Sequence, residues 1–157
     1  VTVTTLIQAS AVRLITEGYL VSRATAALPA TATGNIFTVT GGRILIVSLV
    51  GEVTTAVQNQ ACTVAIGYAP TVGTGSTTAL GTASSVIAAP IGTHVGINPG
   101  SAAVTDLATQ AGVTTPAGRF LVDAGSVTIT TSATNTGSLK WDLIYVPVDT
   151  NATVVAA

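Results

Sequence analysis

Apolar and polar side chains alternate along short runs of this chain, and that period of two constrains its fold more than any other feature. In the clearest run Leu139, Trp141, Leu143 and Tyr145 share one phase, and Lys140, Asp142 and Ile144 share the other. Successive side chains of a β-strand point to opposite faces, so the run reads as a strand with one buried face. Phe37 and Val39 alternate with Thr38 and Thr40, and Val127, Ile129 and Thr131 with Thr128 and Thr130. Cys62, Val64, Ile66 and Tyr68 form one face of a further run, against small residues at Ala61, Thr63, Ala65 and Gly67. Thr and Val recur throughout, and β-branched side chains favour the strand over the helix.

Turn residues separate these runs. Gly41-Gly42 precedes Arg43 to Val50, a near-continuous apolar stretch that fits a strand buried on both faces. Thr134-Asn135-Thr136-Gly137 lies between the Val127 and Leu139 runs, which together read as a β-hairpin ended by Pro147. Arg119 to Val122 is a strand candidate before an Asp123-Ala124-Gly125 turn. Pro70 to Gly81 reads as a loop, Ser85 to Ala89 and Thr93 to Ile97 as short strands, and Asn98-Pro99-Gly100 as a turn. Ser101 to Ala111 reads as a helix or a loop, with Val104, Leu107 and Ala108 at helical spacing and Gly112 as a stop. Val1 to Ile7 reads as a strand or an extended arm, Ala11 to Tyr19 as a helix or a strand, and Tyr19 to Arg23 as a strand. Many short strands between turns predict an all-β chain, an antiparallel β-sandwich or barrel. The expected organisation is an N-terminal arm or edge strands over residues 1–23, a sandwich over 24–148 and a C-terminal tail over 149–157.

Composition narrows the function. Charged residues are 7% of the chain, where a soluble domain typically carries about 25%. Five Lys+Arg against six Asp+Glu leave a net charge of −1, without the basic surface that nucleic-acid binding needs. High apolar content with little charge is the reverse of a disordered chain. Cys62 is alone, so no disulfide framework is available. The apolar stretch Ile44 to Val50 is interrupted by Ser48 and falls well short of the roughly 20 residues of a membrane span. No basic and then apolar leader pattern is visible, and Val1 in a chain without Met is read as following a trimmed initiator. So few charges imply a surface solvated by Thr and Ser and covered in part by other subunits.

No catalytic, cofactor or metal site is expected. His94 is the sole histidine, with no Asp or Glu near it in sequence and no Gly-x-Ser-x-Gly motif in the chain. Cys62 lies inside an alternating run without a cationic neighbour, which suits a buried thiol rather than a reactive one. Zinc needs about four Cys or His ligands, and Asp142 and Asp149 lack a calcium-loop pattern. Gly73-Thr74-Gly75-Ser76 lacks the lysine of a phosphate loop. Asn151-Ala152-Thr153 matches a glycosylation sequon. Trp141 could serve as a sugar-stacking platform, but its phase with Leu139, Leu143 and Tyr145 assigns it to the core.

Three segments together carry a family resemblance: Phe37 to Ile46, Leu49 to Ala56, and Gly137 to Pro147. In that order they resemble small structural proteins of tailed bacteriophages, among them capsid decoration or cement proteins. The resemblance implies a jelly-roll or related β-sandwich, to which the apolar ends of the chain add extended N- and C-terminal arms. It also implies oligomers on the capsid exterior, contact with the major capsid protein, and no catalysis. A homotrimer would match local three-fold sites, with a dimer as the variant. The apolar ends, Val1, Val3, Leu6 and Ile7 at the start and Val154 and Val155 at the finish, are candidate interface arms able to add a strand to a neighbouring sheet edge. The other reading of these ends is pairing within their own subunit. The rival functions are another tail or head-fibre component, and a sugar-binding sandwich module.

Overall fold

The structure, a computed structural model, describes residues 17–73, 77–80, 82–97, 108–109 and 119–157. In chain order its strands are β1 (Tyr19–Ala27), β2 (Thr33–Thr40), β3 (Ile44–Thr55), β4 (Thr63–Pro70), β5 (Thr78–Ala79) and β6 (Ser84–Ser85). They continue as β7 (Thr93–Gly96), β8 (Ala108–Thr109), β9 (Phe120–Val122), β10 (Gly125–Thr131), β11 (Ser138–Pro147) and β12 (Thr153–Ala156). They form two 6-stranded antiparallel sheets. The first runs β1-β11-β3-β7-β8, with β9 also on β3; the second runs β12-β2-β10-β4-β5, with β6 also on β4. Each sheet seats a late strand between two early ones: β11 lies between β1 and β3, and β10 between β2 and β4. The chain is an all-β antiparallel sandwich.

The alternating runs supply the core. Trp141, Leu139 and Leu143 of β11 are buried, as are Phe37 and Val39 of β2, Val64 and Ile66 of β4, and Val127 and Ile129 of β10. Leu28 and Pro29 join residues of both sheets, Ile129 from one and Leu139 and Trp141 from the other, around a small cavity of about 150 Å³ between the sheets. In β3 the phase changes along the strand. Ile44 and Ile46 point inward, and so do Leu49 and Val53 further on. Tyr145 pairs with Ile46 and Ile144 with Ser48, leaving Val47 as an extra residue. A one-residue bulge moves every following side chain to the opposite face, so both halves of this 12-residue strand keep an apolar inner face.

Four expectations are corrected. The Val127 and Leu139 runs do not form a hairpin: β10 pairs with β2 and β4, and β11 with β1 and β3. The intervening residues cross between the sheets, so the two apolar faces meet across the core instead of lying side by side. Asn135 shapes that crossing by accepting a hydrogen bond from the Gly137 amide at 2.9 Å. The Arg43 to Val50 stretch is buried on one face only, with Leu45, Val47 and Val50 half-exposed. Part of the loop over residues 70–81 is a strand, β5, paired with β4. The stretch read as a C-terminal tail supplies β12, because Val154 pairs with Val39 and buries with it.

Of the helix-or-loop segment, Ala108 and Thr109 pair as strand with His94 and Thr93. Its remainder, the Asn98-Pro99-Gly100 turn and residues 1–16 lie outside the described residues.

Candidate functional site

His94, Glu52 and Lys140 lie in one cross-strand row, because β7 and β11 flank β3. The row is on the outer face of the first sheet. The Lys140 ammonium lies 2.8 Å from the Glu52 carboxylate. That hydrogen bond, more than the charge of Lys140 or of His94, holds the Glu52 carboxyl below the ordinary carboxylate range against partial burial, and Lys140 is raised in turn. A carboxylate engaged by an ammonium is a weak base. His94 Nδ1 is buried and has no hydrogen-bond partner among the described residues. The fold thus puts an acid beside His94 that sequence distance hid, but not the serine–histidine bond of a hydrolase.

The Cys62 thiol is buried, in contact with the Thr63 and Ala133 carbonyls and the Asn135 amide. Trp141 is 2% exposed, with its ring against Gly51, so it presents no face to a sugar. Tyr19 is the more accessible aromatic, stacked on Tyr145 with ring centroids 5.6 Å apart. Asp142 accepts a hydrogen bond from the Ser22 hydroxyl at 2.5 Å, whereas Asp149 is engaged by Arg43. No group of three His, Cys, Asp or Glu able to hold a metal ion occurs among the described residues. No helix among them is long and apolar enough to cross a membrane.

Of the candidate arms, Val1, Val3, Leu6 and Ile7 lie outside the described residues. Val154 is in the core, and Val155, paired with Thr38, is exposed. β12 is one outer strand of the second sheet, with β5 at its other side, and β1 is one outer strand of the first, with β8 at its other side. β1 and β12 meet on one flank, where Arg23 Nε donates to the Ala157 carbonyl at 2.8 Å. Outer strands leave one row of backbone donors and acceptors without a strand partner, which is where another chain can pair.

A polar clasp closes the end of the sandwich where β2 turns into β3. Asp149 Oδ1 accepts from Arg43 Nη2 at 2.9 Å, and Oδ2 accepts from Arg43 Nε at 3.1 Å and from the Arg43 amide at 2.7 Å. These bonds hold the Asp149 carboxyl at a pKa of about 2, against its ordinary 3.8. Two residues 106 positions apart gave no sequence signal of this pairing. On β4, burial and then the nearby Asp123 charge push the Tyr68 phenol up to about 12, and its hydroxyl donates to the Asp123 carbonyl.

These shifts make stability depend on pH at both extremes. Asp149 is depressed in the fold, so its contribution is complete above about pH 4 and is lost as pH falls through about 2. Tyr68 is raised, so its contribution is complete below pH 10 and is lost as pH rises toward about 12. Thermal midpoints measured across pH should fall at both limits. Asp149→Asn should flatten the acid limb, and Tyr68→Phe the alkaline one. Parallel curves for variant and wild type in either window would contradict the assignment.

No protein-family model and no curated relative matches the sequence. Among solved structures the chain is similar to a chain in the structure of infectious bursal disease virus, Gx strain, at 14% identity and a TM-score of 0.24. The match covers 87% of this chain and 33% of that one, so this chain spans about a third of that chain's length.

Proposed function

We propose that the protein is a virion structural protein that binds the capsid exterior and stabilises the shell by bridging subunits of the major capsid protein. The observation that carries the reading is the interleaved strand order. β1-β11-β3-β7 in one sheet and β2-β10-β4-β5 in the other supports the reading, because it is the order expected of a jelly roll's two Greek keys. Jelly rolls recur in viral capsid proteins, lectins and cupins. The lectin-like alternative is weakened by the burial of Trp141, and a cupin-like metal centre by the outward position of His94. The three segments resembling phage decoration proteins take in half of β2, most of β3 and all of β11, of which the last two are paired.

The mechanism is mass action without catalysis. A protein that binds assembled shell and not free subunits stabilises the shell by about 2.7 kcal/mol per site at a hundredfold excess over its Kd. It would do so as an oligomer, a homotrimer at local three-fold sites or a dimer at two-fold sites. The test is co-sedimentation of purified protein with matching shells that lack it. Saturable binding at a fixed ratio to the capsid subunit, with shells more resistant to heat, is expected. Rings or filaments of free protein that ignore shells would identify a tail or fibre component instead. Binding to glycans and not to shells would identify the sugar-binding module.

A further inference from the structure

The inner face of β1 carries a charge. Cross-strand register sets Val21 opposite Leu143, Arg23 opposite Trp141 and Ala26 opposite Leu139. Residues paired across neighbouring strands point to the same side of a sheet. Leu139, Trp141 and Leu143 point into the core. Arg23 therefore projects between the two sheets, in a row that is otherwise apolar, and is half-buried there. Its Nε donates to the Ala157 carbonyl at 2.8 Å. Neither ion pair among the described residues includes it. An arginine keeps its charge at any ordinary pH, and its planar fork matches a carboxylate. Partial desolvation makes a guanidinium without an anion costly.

Arg23 lines the cavity of about 150 Å³ between the sheets, and no other charged residue does. Two local features make the room. The register of β1 on β11 shifts between Arg23 and Ala26. In the other sheet the residue opposite Ile129 is Gly34, where a Cβ would stand 3.0 Å from Pro29 Cγ. The walls at Leu28, Ile129, Leu139 and Trp141 are apolar and buried. An apolar cavity of about 150 Å³ holds a benzene ring. Apolar walls with one fixed polar group are the general form of a small-molecule site. We propose that this cavity binds a small monocarboxylate with an apolar body of about six carbons. The body lies among Leu28, Ile129, Leu139 and Trp141. The carboxylate lies on the Arg23 guanidinium, at the flank where β1 meets β12. This site does not depend on whether the protein binds a capsid.

Titration of the full chain with cyclohexanecarboxylate tests this. The compound does not absorb where tryptophan is excited, and Trp141 is the sole tryptophan, so its emission reports the cavity directly. A saturable change is expected, with a Kd on the order of 0.1 mM and a single site by calorimetry. Acetate has the charge without the body, and cyclohexylmethanol the body without the charge. Each should bind at least about tenfold more weakly. Arg23→Gln should weaken the carboxylate about 30-fold and leave cyclohexylmethanol unchanged, and Arg23→Lys should recover part of the loss. Ala26→Leu, which extends a branched side chain into the cavity, should abolish binding of both, with its thermal midpoint reporting the fold. No emission change and no heat at about 10 mM cyclohexanecarboxylate would overturn the proposal. Arg23 would then serve only to tie β1 to β12 and guard the sheet edge. Equal affinity for the acid and the alcohol would overturn it too, as would binding that survives in folded Ala26→Leu or is indifferent to Arg23→Gln.

Discussion

Replacing Trp141 by alanine is expected to lower the free energy of unfolding by about 3–5 kcal/mol, the range for large aromatic truncations in cores. The side chain is 2% exposed and belongs to the central pair of the first sheet, where β11 lies against β3. Its ring lies flat on Gly51, where a Cβ would stand 2.8 Å from the ring carbons. The space for the ring exists because that position has no side chain. Truncation leaves a void that neither paired strand can collapse into, since both are held by their ladders. Native stabilities are of the order of 5–15 kcal/mol, so a large fraction of the total would be lost. Chemical denaturation read by circular dichroism measures it, since the variant lacks the tryptophan signal. A loss below about 1 kcal/mol would mean that the ring is not packed as described. Gly51→Val should be destabilising from the other side of the same contact.

The second large effect is at Gly41. This residue has φ +77°, in the left-handed region that side chains other than glycine rarely adopt. A Cβ there would overlap the Asn151 carbonyl in the loop before β12. Gly41→Val combines backbone strain with that collision, and about 2–4 kcal/mol is expected. The damage is local in origin but not in consequence. The loop it displaces carries Asp149 and delivers β12 to β2, so amide exchange should rise across residues 149–156 before the rest of the fold opens. Uniform exchange behaviour across the chain would argue that β12 is not a separable edge.

How much of this was legible in the sequence differs by level. Period-two patterning located β2, β4, β10 and β11 and named the core residues Phe37, Val39, Val64, Ile66, Leu139 and Trp141, because inward and outward residues alternate in any strand. The β3 stretch was found but its faces were misjudged, since a bulge at Val47 merges two alternating halves into what looks like one apolar run. The candidate site was less legible. The Arg43–Asp149 clasp and the Glu52–Lys140–His94 row join residues far apart in sequence, and neither has a local spacing to betray it. Leu20 and Leu121 lie in runs that the sequence marks as strands without assigning a face, and both are exposed in the fold.

What the sequence determined by itself is therefore the strand content, the apolar phase of each clear strand and the scarcity of charge. These depend on a residue and its near neighbours. Tertiary structure alone decided which edges meet. The Val127 and Leu139 runs, adjacent in sequence, belong to opposite sheets, while Thr153–Ala156 closes on β2. Alternation states which face of a strand is buried but nothing about its hydrogen-bonding edge. The backbone donors and acceptors along that edge are the same for every residue but proline, so partner choice is set by how all the apolar faces close over one core.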